Sequence, residues 1–498
     1  MTKKFFLALL MSCFALFASS SNYLTFTAVV DYSSFCIKDY GNNNANVEYS
    51  LDDGETWTLL EKDIDGNNTV KLTKGDRVLL RGDNPNGFSK EEGKYSYFEM
   101  IGAIAASGSV MSLIDGIGES KTIPSKFCFC YLFYNCGSLT KAPELPATEL
   151  TESCYKSMFA SCGNLTIAPE LPATVLASNC YEKMFAKSGI KKAPALPATE
   201  LAISCYEAMF VSCYSLTEAP ELPATELTES CYKSMFASCE KLTIAPKLPA
   251  TVLASNCYGS MFDGSGLTQA PELPATELAE TCYELMFART KLTQAPELPA
   301  MDLTTGCYMS MFYSCKLLTK APELPAMELA TCCYMSMFRE CTNLTEAPEL
   351  PAEVLTDDLC YYEMFKDCEK IQKIKVSFTD WGANFETFFW VENVASTGTF
   401  YCPRELPLEY DTDRIPEGWN VEYIDEGTDI AEHVSDASFK AWAADGKITY
   451  TGATMPVEIY DLNGRLVKKM NEKSQSVDVP QHGIYVVKSG NVSLKVEL

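Results

Sequence analysis

Two kinds of side chain able to do chemistry recur at fixed intervals in this 498-residue chain: thiols and carboxylates. One cysteine column holds Cys128, Cys154, Cys180, Cys205, Cys231, Cys257, Cys282, Cys307, Cys333 and Cys360. A second holds Cys136, Cys162, Cys213, Cys239, Cys315, Cys341 and Cys368, with Ser188, Ser265 and Thr290 standing in elsewhere. A nucleophilic cysteine or serine needs a base. The only histidines, His433 and His482, lie outside the repeated stretch, so no Cys-His or Ser-His-Asp pairing can form within it. Paired CxxC motifs are absent, which argues against a zinc site. A column that accepts Ser and Thr is not a disulfide framework. Its members are expected to be reduced, buried and small, donating S–H or O–H to a neighbouring carbonyl.

The carboxylates also form columns. Glu144, Glu170, Glu221, Glu272, Glu297, Glu323 and Glu349 share one position, interrupted by Ala195 and Lys247. Glu149, Glu200, Glu226, Glu277, Asp302 and Glu328 share another. Like charges stacked ~5 Å apart in water repel by somewhat under ~1 kcal/mol per neighbour. Such columns are either a solvated face or a negative strip for a basic partner or divalent cations. One position varies from copy to copy: Lys141, Ile167, Lys192, Glu218, Ile244, Gln269, Gln294, Lys320 and Glu346. Variation on a rigid repeat fits a recognition surface, and equally an unconstrained one. These columns are the candidate partner-binding residues. With no glycine-rich phosphate loop and no HExxH, neither a catalytic residue nor a cofactor is expected.

Three smaller signals lie outside the columns. Ser50 to Trp57 (SLDDGETW) resembles the Asp-box of sialidase blades, though one copy makes no propeller, and an Asp-Gly hairpin turn under a packed Trp explains it locally. Hydrolase activity would need loss of turnover in Asp52→Ala. Asp63-Ile64-Asp65-Gly66-Asn67 looks like the start of a calcium loop, but no glutamate closes it and a turn is expected. Trp381, Phe385, Phe388, Phe389, Trp390, Phe400 and Tyr401 read as a hydrophobic cap, or as a carbohydrate platform.

The columns come from one unit repeated from Leu139 to Cys368: Leu-Thr-x-Ala-Pro-Glu-Leu-Pro-Ala-Thr-x-Leu, then Cys-Tyr-x-x-Met-Phe-x-x-Cys. With a degenerate first copy ending at Phe133 there are ten copies, stepping by ~26 residues. A unit this short cannot bury its own apolar face, so copies must stack as a solenoid. Leu150, Cys154, Met158 and Cys162 fall four apart and predict a helix of about three turns, with Thr151 or Ser153 as its cap. Leu139 to Pro143 predicts a short strand. The expected fold is therefore an α/β leucine-rich-repeat solenoid with strands ~4.8 Å apart. Thr151–Cys162 recurs letter for letter at Thr228–Cys239, three copies on, which points to duplication of a three-copy block. The Phe-x-x-Cys-x-x-Leu-Thr beat resembles the BspA-type leucine-rich repeats of bacterial surface proteins. That resemblance implies adhesion to host matrix or other cells.

The flanks complete the expected organisation. Residues 1–20 carry Lys3-Lys4, an apolar run and small residues, the pattern of a signal peptide. Residues 22–120 read as an all-β sandwich, 121–375 as the solenoid and 376–424 as its cap. Residues 425–435 form a polar linker, and 436–498 a compact Ig-like β module. Val457–Asp461, Gly483–Val487 and Lys495-Val496 resemble the C-terminal sorting domain of type IX secretion cargo. The resemblance implies an outer-membrane export machinery as partner and a secreted or cell-surface location. A net charge of −26 argues against nucleic acid. No spanning helix is expected in the mature chain. The expected function is non-catalytic binding of an extracellular or cell-surface macromolecule, with glycan capture by the β modules and aromatic cap as the alternative.

Overall fold

The computed structural model describes residues 22–63, 68–355, 358–382, 385–424, 440–444, 447–453, 456–461, 465–471, 475–479, 484–489 and 492–497. The expected signal peptide, the 425–435 linker, both histidines and most of the calcium-like loop lie outside them. The chain divides into two compact units, Met1–Ile424 and Asp425–Leu498. Both are β-rich. Among the described residues the one α-helix is α1, Ser112–Asp115, and no helix is long and apolar enough to cross a membrane.

The first unit opens with β1 (Leu24–Ala28), β2 (Ser33–Tyr40), β3 (Glu48–Ser50), β4 (Thr58–Leu59), β5 (Val70–Leu72), β6 (Arg77–Arg81), β7 (Tyr95–Ile101) and β8 (Ile104–Ser107). They form two sheets, ordered β4-β3-β6-β1-β8 and β5-β2-β7. Phe26 of β1 meets Phe35 of β2 and Phe98 of β7 edge-on at 5.0 and 5.1 Å, joining the sheets through their apolar faces. β8 then pairs in parallel with β9 (Leu139–Lys141), the strand of the first repeat. The sandwich thus supplies the surface on which the repeats stack.

Each repeat is one coil, and the strand-plus-helix unit expected from the sequence is not what forms. The Cys-Tyr-x-x-Met-Phe-x-x-Cys segment has no helical hydrogen bonding. Its backbone turns into the left-handed region at every fourth residue, with φ of 56°, 54° and 63° at Ser153, Ser157 and Ser161. The amides of Cys154, Lys156, Met158, Ala160 and Cys162 bond three residues back within the coil, at 3.1–3.2 Å. The intervening amides, Ser153, Tyr155, Ser157, Phe159 and Ser161, cross to carbonyls of the next coil at 2.7–3.0 Å. Every amide of this ribbon is therefore satisfied without a helix, half of them only if the next coil is present. Ser153 cannot cap a helix here, and Thr151 donates to the Ser125 carbonyl of the preceding coil at 2.6 Å.

The pattern of three left-handed residues per coil runs from Phe127, Tyr131 and Asn135 to Phe385, Phe389 and Asn393. That makes eleven coils, one more than the copies legible in the sequence. Only Gly264 and Gly306 supply glycine at these positions. The other residues each bear roughly 1–2 kcal/mol of steric cost, which cross-coil bonding and burial must offset. The expected far-UV circular dichroism lacks the double minimum of α-helix; a strongly helical spectrum would refute the ribbon.

Inside the stack, Cys154, Tyr155, Met158 and Phe159 are at most 1 % exposed, and the same four positions stay within 2 % as far as Phe365. Tyrosines from Tyr155 to Tyr361 stack ring on ring at 5.8–6.0 Å, and phenylalanines from Phe133 to Phe365 at 5.5–5.9 Å. The strand edge continues as a parallel sheet of β10 (Glu349–Leu350), β11 (Lys373–Val376), β12 (Thr399–Cys402) and β13 (Asn420–Tyr423). Residues 376–424 therefore first add coil and only then close it. The closure is specific: Asp413 accepts the Phe389 amide at 2.8 Å, and Trp390 Nε1 donates to the Arg414 carbonyl at 2.8 Å.

From Leu139 to Cys333 coil length varies at one corner, and the following coil gains one further residue between Leu355 and Cys360. Cys162, Cys213, Cys239, Cys315, Cys341 and Cys368 precede the next buried Leu or Ile by three residues, whereas Ser188, Ser265 and Thr290 precede it by two. Where the corner shortens, the Gly189 and Gly266 amides reach the carbonyls of Cys162 and Cys239 in the preceding coil, both at 3.1 Å.

The second unit comprises β14 (Lys440–Ala444), β15 (Lys447–Thr451), β16 (Val457–Asp461), β17 (Leu466–Met470), β18 (Gln475–Val477), β19 (Ile484–Ser489) and β20 (Val492–Glu497). All pair antiparallel, in sheets β14-β15-β18 and β17-β16-β19-β20, around Ile448, Tyr450, Val457, Ile459 and Val487.

Candidate functional site

The outer face of the coils gathers the columns singled out in the sequence. Alternation does this: Leu145 and Ala147 point inward while Lys141, Glu144 and Thr148 are exposed. The variable column pairs coil to coil in parallel bridges, Ile167 with Lys192, Lys192 with Glu218, Ile244 with Gln269, and Gln294 with Lys320. All nine of its members are exposed. Glu144, Glu170, Glu221, Glu272, Glu297, Glu323 and Glu349 are exposed beside them, as are Glu149, Glu200, Glu226, Glu277, Asp302 and Glu328. Pro172, Pro197, Pro223, Pro249, Pro274 and Pro299 form a row between the two acidic columns. A shallow groove of about 740 Å³ opens at its start, lined by Lys121, Lys141, Glu144, Ile167 and Glu170 together with Pro143, Pro146, Pro169 and Pro172.

Charge on this face is mostly uncompensated. Lys192 meets Glu218 at 2.8 Å, and Lys375 meets Glu349 at 3.3 Å. Among the described residues no ion pair reaches Glu170, Glu221, Glu226, Glu272, Glu277, Glu297 or Glu323. On the ribbon side, by contrast, Lys156 spans Glu92 and Glu182, both at 3.0 Å, and Arg339 pairs with Glu363. These pairs were not legible in the sequence, because Glu182 and Glu363 sit one coil from their partners at positions that vary freely, and Glu92 lies in the sandwich.

The cysteine columns face inward. Cys154, Cys180, Cys205, Cys231, Cys257, Cys282, Cys307 and Cys333 are fully buried, as are Cys162, Cys213 and Cys239. In the second column Cys162, Cys213, Cys239, Cys315, Cys341 and Cys368 donate to the phenylalanine carbonyl of the preceding coil at 2.9–3.1 Å. Thr290 instead donates to Phe287 of its own coil at 2.7 Å. Burial pushes these thiols up, to about 12 for Cys154 and about 11 for Cys213. No disulfide links the described cysteines, and Cys332 is the only one not buried.

The sandwich motifs are occupied by their own neighbours. The Asp52 carboxylate accepts the Thr56 hydroxyl at 2.6 Å, the Thr56 amide at 2.9 Å and the Ser50 hydroxyl at 2.7 Å. These bonds hold it down near 2, a poor value for a proton donor at neutral pH. Trp57 lies under the Arg81 guanidinium at 4.1 Å. Cys36, Asp63 and Glu99 come close enough to hold a metal, but the Lys38 ammonium sits 2.8 Å from Asp63 and 3.6 Å from Glu99 and already supplies the countercharge. Asp63 also accepts the Asn68 amide at 3.0 Å. Of the aromatic cluster, Trp390 and Phe400 are fully buried and Trp381 is 7 % exposed, their rings packed edge-on or tilted against one another; Phe385 is exposed. Comparison with family models, curated proteins and solved structures finds no match for this chain.

Proposed function

We propose that this chain is an extracellular binding and display protein whose stacked coils hold a long exposed face against a macromolecular partner. The observation that carries this reading is the variable column: nine successive exposed side chains on a backbone whose inner positions barely change. A rigid inner spine with a free outer row lets binding diverge without disturbing the fold. The BspA-like beat, read as a leucine-rich-repeat relative with a turn ribbon in place of the helix, supports adhesion. The C-terminal resemblance to a sorting domain supports display outside the cell.

The test is capture of host-matrix and cell-surface proteins by the full chain. Because the face is acidic, bound partner is expected to dissociate severalfold more readily as the Debye length shrinks from ~30 Å at 0.01 M salt to ~8 Å at 0.15 M. Capture indifferent to salt would move the binding site off this face.

A further inference from the structure

The face is not uniform along its length. Ile167 and Ile244 are each 76 % exposed, Val175 is 54 % exposed and Val252 51 %. These four residues belong to two nearly identical segments, Leu165–Tyr181 and Leu242–Tyr258, which differ only where Glu170 is replaced by Lys247. Each segment therefore presents an apolar pair at the two edges of the face. The coils between offer Lys192, Glu218, Glu221 and Glu226, with Lys192 already paired to Glu218. Three coil steps of ~4.8 Å separate the stations by about 15 Å. An apolar pair repeated at one register three coils apart offers two contact points on one face, and Glu221 and Glu226 between them, which no ion pair reaches among the described residues, set the sign that a partner must carry.

We infer that the face is a two-station docking site for one extended basic polypeptide, with Ile167 and Ile244 each covered by an apolar side chain and the intervening carboxylates facing lysines or arginines. This rests on the binding reading above and specifies its ligand chemistry. A second copy of this chain is disfavoured as occupant, because it would bring a net charge of −26 against the same sign. The two stations act together: the second contact forms at the high effective concentration set by the first.

The probe is a labelled peptide of sequence Lys-Ile-Lys-Lys-Lys-Ile-Lys-Lys, whose isoleucines, four residues apart, share one face of the extended chain at about 13 Å, titrated into the full chain by fluorescence anisotropy. An all-lysine octamer is the control. The isoleucine peptide is expected to bind about tenfold or more tighter than the control, and Ile167→Ser and Ile244→Ser should each remove about tenfold. Both positions are on the surface, so unchanged thermal melting verifies folding. Equal binding of the two peptides, or wild-type affinity in the Ile167→Ser/Ile244→Ser double variant, overturns the inference. The same double variant in the matrix capture assay separates the two claims. Undiminished capture overturns the two-station site while leaving the binding protein standing, and capture by neither chain overturns both.

Discussion

Phe236→Ala is expected to lower stability by about 3–5 kcal/mol, the range for emptying a fully packed aromatic site. Phe236 is fully buried and lies between Phe210 and Phe262, at 5.8 and 5.7 Å. The coils contact only their neighbours in order, so their stability approximates a sum of units and nearest-neighbour interfaces. A cavity at coil five therefore weakens the coupling between the coils on either side. The N-terminal coils remain seated on the β sandwich, while the others depend on each other and on the Asp413–Arg414 closure. Urea unfolding of the variant should broaden or split into two steps, where the native chain gives a sharper transition. A single transition with a loss below ~1 kcal/mol would mean that the ring column is not where the stability resides.

The second large effect is chemical. In the native chain at pH 8, a bulky thiol reagent should titrate close to one group, Cys332, and the remaining described cysteines only after unfolding. Access is one reason. The other is ionisation: thiols pushed up to about 11 or 12, as at Cys213, Cys231, Cys205 and Cys282, hold ~2–3 orders of magnitude less thiolate than a free cysteine near 8.5. The linkage follows in sign. These groups bind their protons more tightly when folded, so their stabilising contribution is complete below ~8.5 and is lost as pH rises towards 11–12. Buried Tyr155 and Tyr181, pushed well above 10 by burial, extend the loss upward. Unfolding between pH 9 and 11 should be steep, with many protons released together. Rapid native labelling of many thiols, or a flat alkaline profile, would contradict the buried columns.

How much of this could be read beforehand depends on which periodicity carries the information. The ~26-residue beat identified which positions are buried, and the tolerance of Ser188 and Thr290 marked a column of small hydrogen-bonding side chains. The backbone between those positions was not legible in the same way. The four-residue spacing of Leu150, Cys154, Met158 and Cys162 predicts a helix. A helix advances ~100° per residue and would swing that row by ~40° at each step, whereas a ribbon with a left-handed residue every fourth position keeps it straight. The strict four-residue step, and the serines at 153, 157 and 161 in phase with it, were the signal missed. The eleventh coil went unseen because Glu386, Thr387, Trp390 and Val391 share no letters with the repeat, although their amides and carbonyls follow its path. In the face, the exposed columns were evident, but the cross-coil ion pairs were not.

The variable corner bears on how such a chain can change size. A residue lost from the ribbon would shift every later left-handed position and misalign five cross-coil bonds at once, whereas one lost beside Ser188 is absorbed locally. Genetic exchange between misaligned copies deletes or adds whole multiples of the beat, which leaves that phase intact. Lineages can therefore lengthen or shorten this molecule in steps of one layer, resetting its reach while its cross-section stays the same.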